Sequence, residues 1–391
     1  MLIEMIIFIV LGVIAGTITG LTPGIHINLI NASIIALSSS VFIEPIYSIV
    51  LIVSMSVTHT FIDFIPAIFL GCPDTDTELS ILPGHRLLKE KRGFEAIYLS
   101  NIGSMTAIII TIIIFLPSIL LLKKYYIYIS TFIPYILIIL TFILILSEKN
   151  KKRSIMILLL AGILGIITNN IPVKNPLLPL LSGLFGTSNI ILSIKNNTII
   201  PSQIIRKPKI NIKRPLISSI ISAPLCSFLP SFGSGQAALI GNLIKKNSTE
   251  EFIVMLGIIN TLVMTFSFIS LYSIDKARTG TALAIQQILS NIGIEHIVLI
   301  IIVMILSGTI SYFLTLTLSI FLSKKIDRID YKKISLITIA IIIIVTIIIS
   351  GILGIFILFI STMLGIYAIR LKVRRINLMG SLIIPTLIFL L

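Results

Sequence analysis

Long apolar runs recur from one end of the sequence to the other, and many reach roughly 18 residues or more. A run of that length can cross the hydrocarbon core of a bilayer as a helix. Charged residues make up 12% of the chain, about half the share found in soluble domains. We therefore predict an all-α, polytopic integral membrane protein with roughly 10–14 membrane helices or half-helices.

The net charge of +15 is distributed in a way that argues against nucleic acid as a partner. Most Lys and Arg residues lie in short connections between the apolar runs, where the positive-inside rule places cytoplasmic charge. We expect a multi-pass protein of a prokaryotic cell membrane, in contact with the lipid bilayer. The connections expected on the cytoplasmic side are 85–92, 148–153, 195–214, 324–333 and 370–375.

Two proline-containing stretches interrupt the apolar pattern. The first is GLTPGIHINLI, which begins at Gly20, and the second is SFLPSFGSGQAAL, which begins at Ser227. Each is followed, about fifty residues later, by a Thr-x-Thr stretch, at Thr75 in the first case and Thr279 in the second. A recurring pair of motifs indicates an internal repeat.

The motif pairs divide the chain into repeats 1–194 and 195–391, which together form one integrated membrane domain. We expect each repeat to make one re-entrant hairpin at its proline motif, one broken crossing at Thr-x-Thr and four full crossings. The net number of crossings is then odd, so the repeats have opposite orientations. Inverted repeats with interrupted helices are the architecture of many secondary transporters.

The interruptions predict a binding site for a small organic anion. A break in a membrane helix persists only where protein buries it or water reaches it. The N-terminus of a half-helix presents free N–H groups and the positive end of the helix dipole to an anion. The predicted substrate-binding residues are Pro23, Gly24, His26, Asn28, Thr75, Thr77, Ser231, Gly233, Ser234, Gly235, Gln236, Lys276, Arg278, Thr279 and Thr281.

Arg278 is the strongest candidate for a carboxylate or phosphate clamp, because its planar guanidinium binds such groups through two hydrogen bonds. Two alternatives stay open: Arg278 could anchor the topology, or it could pair with Asp74 across the repeats. If transport depends on Arg278, Arg278→Ala abolishes it. We expect Arg92→Ala to remain active, since 85–92 is predicted to be a cytoplasmic anchor.

Acidic residues within or beside the spans are candidates for coupling to a Na⁺ or H⁺ gradient. Asp63 lies in an apolar run with His59 one turn earlier, and a charge at membrane depth costs roughly 3 kcal/mol. Structural hydrogen bonding and a solvated turn are the alternatives for these residues. The predicted ion-coupling residues are His59, Asp63, Asp74, Asp76 and Glu78.

Enzyme motifs are missing from the sequence: it contains no zinc-protease His-Glu pair, no phosphate-binding Gly-Lys-Ser/Thr loop and no Gly-x-Ser-x-Gly elbow. Its two cysteines give no metal-binding spacing. We expect no catalytic residue, no cofactor and no bound metal apart from Na⁺ as a possible coupling ion. The acids Glu148, Glu250 and Glu251 are expected to be solvated loop charges, and Gly12, Gly16 and Gly20 to form a close helix-packing stripe.

The motifs resemble those of the large permease subunit of the tripartite tricarboxylate transporters, in its archaeal form. The matching stretches are GLTPG near the first helix, PDTDTE running into LPGHR, and FGSGQAA in the second half. The resemblance covers nearly the whole chain. It implies transport of citrate-like carboxylates driven by an ion gradient, together with a small membrane subunit and an extracytoplasmic solute-binding protein.

Two departures from the family pattern bear on the substrate. Pro230-Ser231 stands where the family has a second Pro-Gly, and Gly71-Cys-Pro-Asp-Thr-Asp replaces a less acidic loop. A related branch with Pro-Gly hairpins is implied in recycling polyprenyl-phosphate lipid carriers. The sequence therefore predicts a di- or tricarboxylate permease working by alternating access, with a lipid-carrier translocase or a non-transporting scaffold subunit as alternatives.

Overall fold

The protein is described by a computed structural model over residues 2–22, 44–69, 81–195, 201–230, 233–289, 291–326 and 331–391. Within these ranges the chain is helical and contains no strand. Eight of the described helical stretches are long and apolar enough to cross a membrane. The predicted all-α, multi-pass membrane fold is confirmed.

The first half contributes nine α-helices within the described ranges. They are α1 (Leu2–Leu21), α2 (Pro45–Ile62), α3 (Phe64–Phe69), α4 (Ile81–Lys89), α5 (Gly93–Ser130), α6 (Ile133–Leu146), α7 (Lys151–Asn170), α8 (Leu177–Leu181) and α9 (Ser188–Lys195). A π-helix, Ser182–Thr187, joins α8 to α9.

The second half contributes eight α-helices in the part of the chain that the structure describes. They are α10 (Lys213–Ser222), α11 (Leu225–Phe228), α12 (Ser234–Ile244), α13 (Thr249–Ile274), α14 (Gly280–Ile288), α15 (Ile294–Lys325), α16 (Tyr331–Arg370) and α17 (Gly380–Leu390). A short 3₁₀ helix, Arg375–Met379, precedes α17.

The glycine stripe of α1 packs directly on α2, as predicted. A Cβ added to Gly12 would lie 2.7 Å from the carbonyl oxygen of Leu51, and one added to Gly20 would lie 3.0 Å from Cβ of Ile62. Because the contacts advance in the same direction along both helices, α1 and α2 are parallel. The chain therefore leaves α1 at the end where α2 finishes and enters α2 at the other end.

The centre of the protein consists of α2–α3 from the first half and α13 from the second, both almost entirely buried. α5 packs along α13 in parallel: Thr111 contacts Thr265 at 2.9 Å, and the Lys123 Nζ lies 4.1 Å from the ring centroid of Tyr272. α15 packs on α2, where Ser311 donates to Thr58 at 2.9 Å. Each half thus covers the central helix of the other.

The two central helices run antiparallel. The last residue of α3, Phe69, lies against Gly93 at the start of α5. Arg92, the residue before Gly93, donates a hydrogen bond of 3.0 Å to Glu250 at the start of α13. The end of α2–α3 and the start of α13 therefore meet at one end of the bundle. This relation agrees with inverted repeats 1–194 and 195–391, which remain a proposal.

A second layer with its own core contains α7, α8, α9, α16, α17 and the 3₁₀ helix. α16 reverses direction at Gly351, whose φ of 68° suits glycine. Its first arm brings Ile342 to Gly186, and its second arm brings Gly365 to within 2.5 Å, measured from an added Cβ, of the Leu184 carbonyl oxygen. α16 is thus a helical hairpin, and both of its arms pack against the α8–α9 region of the other half.

Glu250, which we expected to be a solvated loop charge, lies at the start of α13 and pairs with Arg92. Arg92 binds Glu95 at 2.5 Å and Glu250 at 3.0 Å, and the Glu95 side chain is only 5% exposed. The three residues fasten the start of α5 to the start of α13. The starts of α5 and α13 place Glu95 and Glu250 beside Arg92. The sequence alone could not show that these two helix starts lie next to each other.

Glu148 also departs from the expected solvated position. It is 8% exposed and accepts a hydrogen bond of 3.0 Å from the Asn377 Nδ2. Asn377 in turn accepts from the Ser154 hydroxyl at 2.7 Å. This cluster joins the α6–α7 connection to the 3₁₀ helix of the other half, so it is a structural contact.

We expect Arg92→Ala to destabilise the fold, because it leaves the buried Glu95 carboxylate without its cation. Removing one partner of such a pair costs on the order of 2–3 kcal/mol, which lowers a thermal midpoint by several degrees. Thermal unfolding in detergent measures the shift. Arg86→Ala is the control, since Arg86 is 70% exposed and pairs with its helix neighbour Glu90. Equal midpoints for both variants would contradict the assignment.

Candidate anion-binding site

The chain re-enters the bundle after α13. Asp275 adopts the left-handed conformation, with φ of 51°, and the backbone N–H groups of Arg278 and Thr279 then donate to the Ser267 hydroxyl at 3.2 and 2.9 Å. α14 leads the chain out again, because the Gln286 Nε2 donates to the Asp275 carboxylate at 3.0 Å. We call residues 275–289 the threonine hairpin. It returns to the end it came from, whereas we expected a broken crossing here.

Two hydroxyls on the central helices hold the tip of the threonine hairpin. Thr279 caps the N-terminus of α14 and donates its own hydroxyl to Ser267 at 3.0 Å. Thr281 donates to Ser56 of α2 at 2.9 Å. The second Thr-x-Thr motif therefore sits between α2 and α13, with both predicted threonines fixed by serines that the sequence did not single out.

The second proline motif lies at the tip of another hairpin, formed by residues 213–230 and 233–244, which we call the proline hairpin. Its arms pack together at Gly241, where an added Cβ would lie 2.9 Å from the Ser222 hydroxyl. The segment leading into it bonds at Ile204 to Lys91 at 2.8 Å, and its exit leads directly to α13. The chain therefore enters and leaves the proline hairpin at the Arg92–Glu250 end of the bundle.

The N-terminus of α12 is at this tip. The Gly233 N–H donates to the Gln236 side-chain oxygen at 2.9 Å, and the side chains of Ser234 and Gln236 are buried. Gly235 is buried as well. The predicted residues Gly233–Gln236 thus start a helix inside the protein, where N–H groups and the positive dipole end favour an anion.

Residues of both hairpins line one cavity of about 860 Å³. Pro230 of the proline hairpin and Lys276 and Arg278 of the threonine hairpin all line it, and no acidic side chain is among the described residues that do so. We call it the basic cavity. Its other polar lining residues, which the sequence did not identify, are Tyr126, Ser130, Thr131, Asn169, Asn170 and Thr386.

The cations of the basic cavity lie beside an aromatic side chain. The Lys276 Nζ is 5.2 Å from the ring centroid of Tyr126, a cation–π distance. Burial lowers the pKa of the Arg278 guanidinium, while Tyr126 opposes that shift. An arginine remains charged at physiological pH. The cavity therefore carries two positive charges and can attract and orient a carboxylate or phosphate.

His59 and Asp63 are not among the described residues that line the basic cavity, and both are buried. The Thr19 hydroxyl and the His59 Nδ1 are 3.0 Å apart. His59 is therefore next to the last turn of α1, just before the first proline motif, while Asp63 lies at the end of α2. The described residues include no cluster of three or more potential metal ligands.

The remaining predicted residues fall outside the described ranges, and their placement stays a prediction. They are Pro23, Gly24, His26, Asn28, Asp74, Thr75, Asp76, Thr77, Glu78 and Ser231. One sequence signal could have identified Ser267: it lies 204 residues after Asp63, the same separation as between Thr75 and Thr279. In the sequence, Asn169 and Asn170 indicate only the polar end of a membrane span.

Comparison with known proteins gives three findings. The tripartite tricarboxylate transporter TctA family matches residues 6–380. The chain is 32% identical over 405 aligned residues to the uncharacterized protein MJ1079 of the archaeon Methanocaldococcus jannaschii, with 99% of each chain covered. No solved structure matches the chain.

We expect Ser267→Ala to release the tip of the threonine hairpin, because it removes the acceptor of three hydrogen bonds. With local opening easier by about 1–2 kcal/mol, a cysteine at Ala277 should react roughly tenfold faster with a water-soluble maleimide. Cys72 and Cys226 are replaced by Ala in this experiment. Ser273→Ala is the control, since the Ser273 hydroxyl has no partner among the described residues. Identical rates in both variants would refute the role of Ser267.

His85 gives a prediction about pH. Burial, and then the charge of Lys89, lower the pKa of His85 to about 4. Between about pH 6.5 and 4 the unfolded chain binds a proton that the folded chain does not, so stability declines as the pH falls through this window, by on the order of 2–3 kcal/mol. His85→Gln should lessen this decline, as measured by thermal midpoints at pH 7.5 and 4.5. An unchanged decline would show that His85 is not its source.

Proposed function

Since the chain belongs to the tripartite tricarboxylate transporter TctA family, it is a membrane component of a tricarboxylate transporter, and we propose that it is the permease that carries the anion. The substrate is a small di- or tricarboxylate. Its movement is coupled to a Na⁺ or H⁺ gradient and occurs by alternating access. The protein is a multi-pass protein of the plasma membrane, and the family is that of transporters, not enzymes.

The observation that carries this proposal is the basic cavity where the two hairpins meet, with Lys276 and Arg278 in its lining. Lys276 and Arg278 supply two positive charges, and Pro230 places the tip of the proline hairpin against the same space. A di- or tricarboxylate carries two or three negative charges, so it matches this lining. Arg278 would bind one carboxylate through two hydrogen bonds, and Lys276 would bind another as a point charge.

We propose that the coupling ion binds away from the basic cavity, near the end of α2. His59 and Asp63 are both buried near the end of α2, and burial of ionisable groups in a membrane protein is typical of proton or cation pathways. We propose that they act together with Asp74, Asp76 and Glu78, which lie outside the described residues. The cations that bind the anion would thus come from the second repeat, and the residues that bind the coupling ion from the first.

Tripartite transporters work with a small membrane subunit and a solute-binding protein, and the family implies both as partners here. We propose that the solute-binding protein delivers the anion to the end of the bundle that is opposite the Arg92–Glu250 contact. Basic connections surround that contact, so positive-inside bias makes it the cytoplasmic end.

A second candidate function is translocation of an anionic polyprenyl-phosphate lipid carrier. One observation favours it: the basic cavity is bordered by apolar side chains of α17, among which Ile388 is 64% exposed and Phe389 is 87% exposed. A lipid could place its phosphate beside Lys276 and Arg278 while its chain lies along these residues. A phosphate and a carboxylate use the same cations, so the two functions need separate assays.

Uptake into proteoliposomes tests the proposal. Purified chain, with and without the small subunit and binding protein, receives labelled citrate, succinate or malate under imposed Na⁺ or H⁺ gradients. We expect gradient-dependent uptake that Arg278→Ala lowers by roughly 10- to 100-fold. Arg278→Lys should recover part of it, because the charge remains but the two-pronged geometry is lost.

Arg86→Ala is the matched control for these variants, since it removes an exposed arginine from the same chain. Arg92→Ala is unsuitable as a control, because Arg92 holds the starts of α5 and α13 together. Equal loss of uptake in Arg278→Ala and Arg86→Ala would contradict the assigned site. Polyprenyl-phosphate translocation without carboxylate uptake would establish the second function instead.

A further inference from the structure

Asn260 is a buried polar residue in the middle of α13. We infer that its side-chain amide donates a hydrogen bond to the transported anion, which makes it a substrate-binding residue. The inference rests on the proposed function and assigns a neutral donor to the same site.

The position of Asn260 on α13 places it beside the site. Asn260 precedes Ser267 by seven residues, a separation that puts two side chains on the same face of a helix, two turns apart. Ser267 is the hydroxyl that holds Arg278 and Thr279. Asn260 therefore points to the same side as the tip of the threonine hairpin, deeper in the bundle.

The amide of Asn260 has an unused donor. Asn260 is 3% exposed, and its Nδ2 has no hydrogen-bond partner within the described part of the chain. A buried donor without an acceptor costs about 1–3 kcal/mol. Two other buried asparagines avoid that cost, since Asn101 donates to the Tyr312 carbonyl at 2.9 Å and Asn377 donates to Glu148 at 3.0 Å.

A second buried amide lies at the same depth. α12 and α13 form an antiparallel helical hairpin around Ser248, and Gly241 and Met255, seven residues to either side, are in contact. Gln236 and Asn260 are each twelve residues from Ser248, so they are level with each other. The Gln236 oxygen accepts from Gly233, which leaves its Nε2 without a partner among the described residues. Both available groups are therefore donors.

The register between the halves points to the same residue. Asn260 lies 204 residues after Ser56, the separation that also relates Thr279 to Thr75 and Ser267 to Asp63. Ser56 is itself a site contact, because it accepts from Thr281. Position for position, Asn260 occupies in α13 the place that Ser56 occupies in α2, facing the centre of the bundle.

The chemistry of the site selects the acceptor. The NH₂ group of the Asn260 amide is a donor, so it suits a carboxylate oxygen. Lys276 and Arg278 neutralise the charge of the anion at the entrance. Asn260, two turns deeper, would bind a second carboxylate without adding charge to the buried centre.

The test is equilibrium binding of labelled citrate, succinate and malate to the purified chain at several pH values. Asn260→Ala should weaken binding roughly tenfold. Asn260→Asp should weaken it further near neutral pH, because the introduced carboxylate repels the anion, and the deficit relative to the unaltered chain should shrink as the pH falls and that group is protonated. Asn242→Asp is the control, as the same change in a half-buried asparagine at the end of α12.

The outcomes separate this inference from the proposed function. If Arg278→Ala loses binding while both Asn260 variants bind like the unaltered chain, the inference is wrong and the proposed function stands. A deficit in Asn260→Asp that does not change with pH would show that Asn260 holds the chain and not the anion, which also overturns it. If the unaltered chain binds none of the three anions, the proposed function fails and the inference fails with it.

Discussion

A helix that stops inside a membrane leaves N–H and C=O groups that lipid cannot bind, and the whole arrangement depends on satisfying them within the protein. Ser267 does this for the threonine hairpin by accepting from the backbone at Arg278 and Thr279. Ser56 fixes Thr281 from the opposite side. Both serines need rigid supports, which explains why α2 and α13 are the most deeply buried helices. The outer helices then serve to keep lipid away from these two.

The charge distribution follows the same logic. The described acid Glu95, which is buried at a helix start, has an arginine partner, and this pair helps to fasten the bundle at the end where α5 and α13 begin. The cations of the basic cavity differ from this pair, since no acidic side chain is among the described residues that line that space. The cavity therefore offers Lys276 and Arg278 to an anion, and this is what makes it suited to one.

Much of the fold could be predicted from the sequence, because hydropathy reports directly on membrane spans. The apolar runs, the glycine stripe of α1 and the break at Gly351 all follow from local composition. The threonine hairpin could not be distinguished from a broken crossing, because both need a short apolar helix after Thr279, and only the contact between Gln286 and Asp275 decides the direction. Proximity of Pro230 to Lys276 and Arg278 was expected, whereas Asn169 and Asn170 come from a helix distant in sequence. The roles of Arg92 and Glu148 depended on partners in the other half, which no local pattern reveals.

The pairing of each half with the central helix of the other also has a consequence for biosynthesis. α5 is made early, yet Gly103 packs against Val254 and Ile258, about 150 residues later in the chain. Until α13 emerges from the ribosome, the polar face of α5 has no native cover. The same holds for α8 and α9, which wait for both arms of α16. The first half therefore cannot complete its own core as it is inserted, and assembly of the native bundle has to follow, and not accompany, synthesis of most of the chain.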